Sequence, residues 1–157
     1  MGAFVFNIAK GRAAELHDRV KNNDPANAAL VIVAINAGAA TDATMKDYDT
    51  LAALLADGDV AEVTNSGYAR KVLTDSDLAA TPAPDDVNDR NERALPTQTW
   101  SAVVAGTGWT DLVVCYDPDT TSGDDTAIVP LTLFDFVQTP SGADIQVTGG
   151  TYLRAGE

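Results

Sequence analysis

Apolar residues follow two rhythms along this chain. From Asp111 to Leu153 the rhythm is that of strands. Residues 112–116 are a short apolar run of β-formers closed by Asp117-Pro118, and residues 127–137 are a second such run. Thr139-Pro140-Ser141-Gly142 reads as a turn, because Pro presets its first central residue and Gly tolerates positive φ just after it. Ile145 and Val147 alternate with polar residues, as in a half-buried strand. Gly149-Gly150 allows one more reversal into Thr151-Tyr152-Leu153. The pattern predicts three or four strands joined by close turns, a β-meander that needs a cover. Upstream, residues 30–35 are continuously apolar and largely β-branched. A run of that kind reads as a central strand covered on both faces. Residues 60–63 and 68–73 read as two short strands joined through Asn65-Ser66-Gly67 as a hairpin. Gln98-Thr99-Trp100 starts another strand, and Gly106 to Trp109 is a turn.

The second rhythm is helical. Ala9, Ala13, Leu16 and Val20 are spaced four, three and four, which predicts one apolar face on a helix over residues 8–21 with Asn7 as N-cap. His17 falls off that face and is expected in solvent. Asn22-Asn23-Asp24-Pro25 ends the helix. Met45, Tyr48, Ala52 and Leu55, with Leu51 and Leu54, predict a second helix over residues 44–56, capped by Thr44 and stopped by Asp57-Gly58. The expected fold class is therefore α+β. It is a β-rich single domain of residues 1–157, an antiparallel meander, sandwich or barrel-like sheet covered by two short helices. Two segments stand apart. Residues 1–7 contain Phe4-Val5-Phe6, a first strand or an arm laid on a neighbour. Residues 74–95 are irregular, and long irregular segments in small domains are often functional.

A chain of 157 residues can bury a proper core. Charge changes the picture more. The net charge is −13, carried by 19 Asp against 4 Glu. Asp favours caps and turns over helix interiors, so the charge belongs on loops. The acidic balance argues against nucleic acid as a partner, since phosphate contacts need Lys and Arg. It argues equally against an anionic membrane surface. Residues 1–21 net +2 and residues 94–157 net −7, so the basic first helix either is simply solvated or meets an acidic surface. Residues 3–6 are too short for the apolar core of a signal peptide, and residues 28–35 are too short to span a bilayer. The expectation is a soluble protein made in the cytoplasm.

The chemical inventory is thin. Cys115 is the single cysteine and sits in an apolar run, which reads as core packing. His17 is the single histidine, so neither a Ser-His-Asp site nor a shared His metal site is supported. Asp117, Asp119, Asp124 and Asp125 surround Gly123, but a calcium loop counted from Asp117 has Ser122 at its glycine position and Ile128 at its glutamate position. Asp85, Asp86, Asn88 and Asp89 include Arg90, whose charge opposes a cation. No nucleophile elbow or phosphate loop is present. Trp100 and Trp109 could stack on a sugar, although core packing is their commoner use. No catalytic residue, cofactor or metal is expected, and the chain does not read as an enzyme.

Several stretches carry a resemblance. They are Phe6-Asn7-Ile8-Ala9-Lys10-Gly11-Arg12, Tyr48-Asp49-Thr50-Leu51-Ala52-Ala53-Leu54-Leu55, Tyr68-Ala69-Arg70-Lys71 and Ala83-Pro84-Asp85-Asp86-Val87-Asn88-Asp89-Arg90. To these are added Gln98-Thr99-Trp100, Val114-Cys115-Tyr116-Asp117-Pro118-Asp119 and the closing Phe134-Asp135-Phe136 with Thr139-Pro140, Gly142 and Asp144-Ile145. Together they resemble small capsid decoration (cement) or minor head proteins of tailed bacteriophages that infect actinobacteria. The resemblance implies a virion protein that binds the major capsid protein and stabilises the shell as a small oligomer, a dimer or trimer. A tail or adhesion module that binds a host glycan is the alternative. Phe4 and Phe6 in the arm, with Arg70, Lys71, Arg90 and Arg93, are the expected partner contacts.

Overall fold

The structure is a computed structural model that describes residues 2–156. Met1, at the tip of the expected arm, lies outside them. Among the described residues, ten strands and three short α-helices make a β-rich domain around one continuous apolar core. The long central strand is where the apolar run placed it. Strand β2 (Ala29–Asn36) is buried from Ala29 through Ile35. Along one edge it pairs antiparallel with β7 (Trp109–Asp117), which pairs with β8 (Val129–Gln138), which pairs with the two-residue β1 (Phe4–Val5). Its other edge is shared end to end by β3 (Ala61–Glu62) and β4 (Lys71–Leu73). Those two strands do not form the expected hairpin, because each finds a free length of β2 instead of the other. The arm is likewise tied down. Phe4 and Val5 lie opposite Leu133 and Thr132, and the Phe6 amide donates to the Leu131 carbonyl at 3.0 Å.

The predicted meander stops after β8. The remaining strands leave the sheet and build a second layer. Strand β5 (Arg90–Leu95) pairs with β10 (Gly150–Gly156), and β6 (Gln98–Trp100) pairs with β9 (Ile145–Val147). Pro96-Thr97 joins β5 to β6, and Thr148-Gly149 joins β9 to β10. The four strands are thus one antiparallel ribbon interrupted at a kink. Proline supplies no amide hydrogen to the ladder, and Gly149 lies where the two backbones touch. A Cβ there would sit 2.6 Å from the Leu95 carbonyl oxygen and from the Thr97 nitrogen. The Gly149 amide donates to Thr97 Oγ1 at 2.9 Å, closing the crossing.

Successive side chains on a strand face opposite ways. Ile32, Leu112, Val114 and Phe134 share the face that looks at the ribbon, since they line one cavity with Leu95, Val147 and Tyr152. Val31, Val33, Val113 and Cys115 share the other face. Cys115 feels the charges of Arg70, Asp125 and Glu62, and the Asp125 carbonyl accepts from the amide of Ala52, so the helix carrying Ala52 lies on that side. Both faces are covered, which is why β2 can be apolar throughout. Each fully buried Val, Leu or Ile stabilises by about 1.5–3 kcal/mol relative to exposure.

The helices are shorter than the periodicity predicts. Residues 8–21 resolve into a 3-10 turn, Asn7–Ala9, and helix α1 (Ala13–Lys21). Gly11 stands between them at φ +80, a conformation that ends one helical turn before the next begins. Residues 44–56 resolve into α2 (Asp42–Met45) and α3 (Leu51–Leu55), capped by Thr41 and Thr50 rather than Thr44. The Thr50 hydroxyl accepts from the Ala53 amide at 3.1 Å and so starts a new helix where the spacing suggested continuation. His17 is also a correction. It is 2 % exposed, because the ribbon covers the flank of α1 that was expected to face water.

Candidate functional site

The six expected contact residues fall into three separate places. Phe4 and Phe6 lie at the β1 edge of the main sheet, with rings 5.1 Å apart, edge to face. Phe6 is fully buried, while Phe4 is half-buried with the Lys46 ammonium 4.9 Å from its ring centre. Arg70 and Lys71 lie at the opposite edge. The Arg70 guanidinium donates to Glu62 (2.6 and 2.9 Å) and to Asp125 (2.6 and 2.9 Å). These bonds, first those to Asp125 and then those to Glu62, hold Arg70 in its charged form. Tyr68 joins them by donating to Glu62 at 2.9 Å while accepting from the Ala34 amide at 3.0 Å. Lys71 donates to the Thr99 carbonyl at 2.7 Å and sits 5.3 Å from the Trp100 ring centre.

Arg90 and Arg93 lie on β5. Arg93 is buried and grips Asp18 of α1 with two bonds, 2.6 and 2.7 Å, and also donates to Asn91. Burial alone would raise the Asp18 carboxyl, but the Arg93 bonds outweigh it and hold the group below its ordinary value. Arg90 pairs with Asp85 at 3.1 Å and with Glu92 at 3.6 Å. Three of the four cations thus bind carboxylates of their own chain, and Lys71 a carbonyl. They brace the ribbon and the edge strands.

Reactive groups are spent in the same way. Burial pushes the Cys115 thiol far up, which removes its nucleophile at neutral pH. His17 Nδ1 lies 2.9 Å from the Tyr152 hydroxyl. Burial lowers the His17 pKa to about 4, against the raising effect of Asp18. The Asp-rich turn after β7 is organised by Asp side chains that accept from the backbone two residues on. Asp117 accepts from the Asp119 amide, Asp119 from the Thr121 amide and Asp124 from the Thr126 amide, at 2.9, 3.0 and 2.9 Å. Among the described residues no group of three or more His, Cys, Asp or Glu side chains is placed to hold a metal ion. Trp100 and Trp109 are buried with ring centres 5.2 Å apart, edge to face, and donate to the Ala69 carbonyl and to Asn65 Oδ1 at 2.7 and 3.2 Å. They are core residues and present no platform to a sugar.

One segment that faces outward is residues 79–89. The irregular stretch is shorter than expected, since Arg90 already belongs to β5. Its tip is pre-formed. The Asp85 amide donates to the Arg90 carbonyl at 2.8 Å and the Arg90 amide returns to the Asp85 carbonyl at 3.2 Å. The Asp85 carboxylate accepts from the amides of Val87 and Asn88, both at 3.2 Å, and from the Asn88 side chain at 2.7 Å. These bonds, the Asn88 side chain first, draw the Asp85 carboxyl below its ordinary value. Val87 rides on this turn at 91 % exposure. Sequence reasoning weighed the charges of this segment and missed Val87. The signal was there: a lone β-branched residue inside a run of turn formers has no place in a core.

No protein-family model, curated protein or solved structure matches the chain. Among the described residues no helix is long and apolar enough to cross a membrane.

Proposed function

We propose that this protein is a virion component that decorates a tailed-phage capsid. It binds the assembled major capsid protein as a small oligomer and braces the shell. The observation that carries the reading is the Asp85–Arg90 turn, which holds an apolar side chain out into solvent on a segment already ordered. Covering Val87 would remove apolar surface from water, and ordering the turn in advance lowers the entropy cost of that cover. The rest of the molecule is consistent with a bracing role. Its cysteine and histidine are buried, its Arg70, Arg90 and Arg93 side chains pair with carboxylates of the same chain, and its N-terminal strand is stitched into the main sheet.

Co-sedimentation with phage shells lacking the protein tests this. The wild-type chain should pellet with shells, and Val87→Asp should weaken that binding about tenfold, a loss of about 1.4 kcal/mol. Pelleting of both proteins alike would remove Val87 from the contact. Failure of the wild-type chain to pellet would remove the capsid as the partner.

A further inference from the structure

At the end of the β5–β10 pair far from the kink, an open groove of about 440 Å³ runs between the ribbon and the start of α1. Its apolar lining includes Val5, Ala9, Ala13, Leu153 and Ala155, and its polar side chains are Lys10, Asn91, Arg93 and Arg154, with no acid among them. Arg93 and Arg154 are spent on Asp18 and Glu92. Lys10 and its neighbour Arg12 are not. Both are exposed, Lys10 donates to the uncharged Asn7 side chain at 2.6 Å, and among the described residues neither pairs with a carboxylate. Arg12 also precedes α1 without capping it, so the first-turn amides add positive potential at the same border. In a chain of net charge −13 a basic border is unusual. The Asp85–Arg90 turn adjoins this groove, since Asn91 and Ala155 border both. It carries the opposite pattern. Val87 is the exposed apolar tip, and Asp86 and Asp89 beside it are exposed and pair with no cation among the described residues. An acid-flanked apolar turn beside a base-edged apolar groove makes one face of the molecule complementary to itself, and a two-fold axis lets two copies satisfy both halves at once.

We propose that this face pairs with a second copy of the chain, each Val87 turn seating in the other copy's groove with Asp86 and Asp89 against Lys10 and Arg12. The pairing rests on the oligomer of the shell-binding reading and names its contact. Val87→Asp then loosens shell binding by unlinking two copies that hold the shell together. The test uses the full chain without shells, followed by sedimentation equilibrium up to about 1 mM. A reversible dimer is expected. Lys10→Glu with Arg12→Glu should give a folded monomer, and so should Asp86→Lys with Asp89→Lys. All four positions are exposed, so circular dichroism of both variants should match wild type. Mixing the two variants should restore a dimer, because acid again faces base at both contacts. Each variant keeps a net negative charge, so bulk attraction does not explain the rescue. Should either charge variant fail to fold, Val87→Ser should weaken the dimer about tenfold without changing charge. A wild-type chain that stays monomeric, an assembly larger than a dimer, or folded variants that do not pair on mixing would overturn the proposal. A monomer that still pellets with shells overturns this pairing alone, and a dimer that does not pellet overturns the shell reading alone.

Discussion

The His17 imidazole and the Tyr152 hydroxyl meet at 2.9 Å across 135 residues of sequence. This contact docks α1 against the last strand of the ribbon, and two residues of the same seam, Asp18 and Arg93, clamp it by charge. The first helix and the closing strand therefore form one unit through polar groups that are largely out of water.

A pH dependence follows. His17 is held neutral in the folded chain, with a pKa of about 4, below its ordinary unfolded value of about 6.5. Between those values the unfolded chain binds more protons than the folded one, so stability falls as pH falls. The full contribution is present above pH 6.5 and is lost progressively down to about pH 4. It is on the order of 3 kcal/mol, since a tenfold difference in proton affinity corresponds to about 1.4 kcal/mol. Chemical denaturation across this range should show the loss in wild type, and His17→Gln should flatten it. An unchanged slope in the variant would mean that other groups set the acid limit.

The buried Asp111 acts with the opposite sign. Burial raises its carboxyl above the ordinary range, the Thr110 hydroxyl at 2.6 Å only partly opposes this, and Asp135 lies directly across the β7–β8 pair. The folded chain therefore holds its proton to higher pH than the unfolded chain, and stability declines as pH rises through that window. Asp111→Asn keeps the shape without the charge. Its melting temperature should exceed wild type at neutral pH and converge with it in acid. A variant less stable than wild type at neutral pH would show that the ionised carboxylate is wanted.

Arg70 supports two half-buried carboxylates at once. Arg70→Ala leaves Glu62 and Asp125 facing each other without a counter-charge, and should destabilise by about 1–3 kcal/mol, the lower part of the range for broken pairs because the group is partly exposed. Adding Glu62→Gln and Asp125→Asn should recover part of the loss. Urea unfolding of the three variants measures this, and additive losses would contradict the coupling.

The two adjacent glycines of the ribbon should behave differently. Gly149→Ala pushes a Cβ to 2.6 Å from two backbone atoms of the opposing Leu95–Thr97 segment, so something must shift. Overpacking of that kind costs about 1–3 kcal/mol. Gly150→Ala meets open space and should be neutral or stabilising. Equal melting temperatures for the two variants would contradict the kink.

Much of the strand content was legible from the residues, and the pairing was not. The apolar run 30–35 has one reading, a strand covered on both faces, and β2 is that strand. The hairpin of β7 and β8 follows from two adjacent apolar runs with turn residues between. The departure of β9 and β10 from the sheet is not written locally. Gly149-Gly150 can turn a meander or cross a second strand, and only the position of Leu95 and Thr97 decides which. His17 shows the same limit. Helical spacing assigns one buried face, whereas a helix held between a sheet and a ribbon buries a second. Arg70 and Arg93 were visible as rare cations in an acidic chain, but their carboxylate partners lie 8, 55 and 75 residues away and leave no local trace. Val87 needed no tertiary knowledge at all. Its exposure follows from its turn-forming neighbours.

The central claim is tested most directly by counting. Quantitative mass spectrometry of purified virus particles gives the number of copies of this chain per copy of the major capsid protein. The decoration account predicts a fixed ratio near that of the shell subunit, retained when the particles are washed. Absence from the particle, or a few copies confined to it, would contradict decoration of the shell.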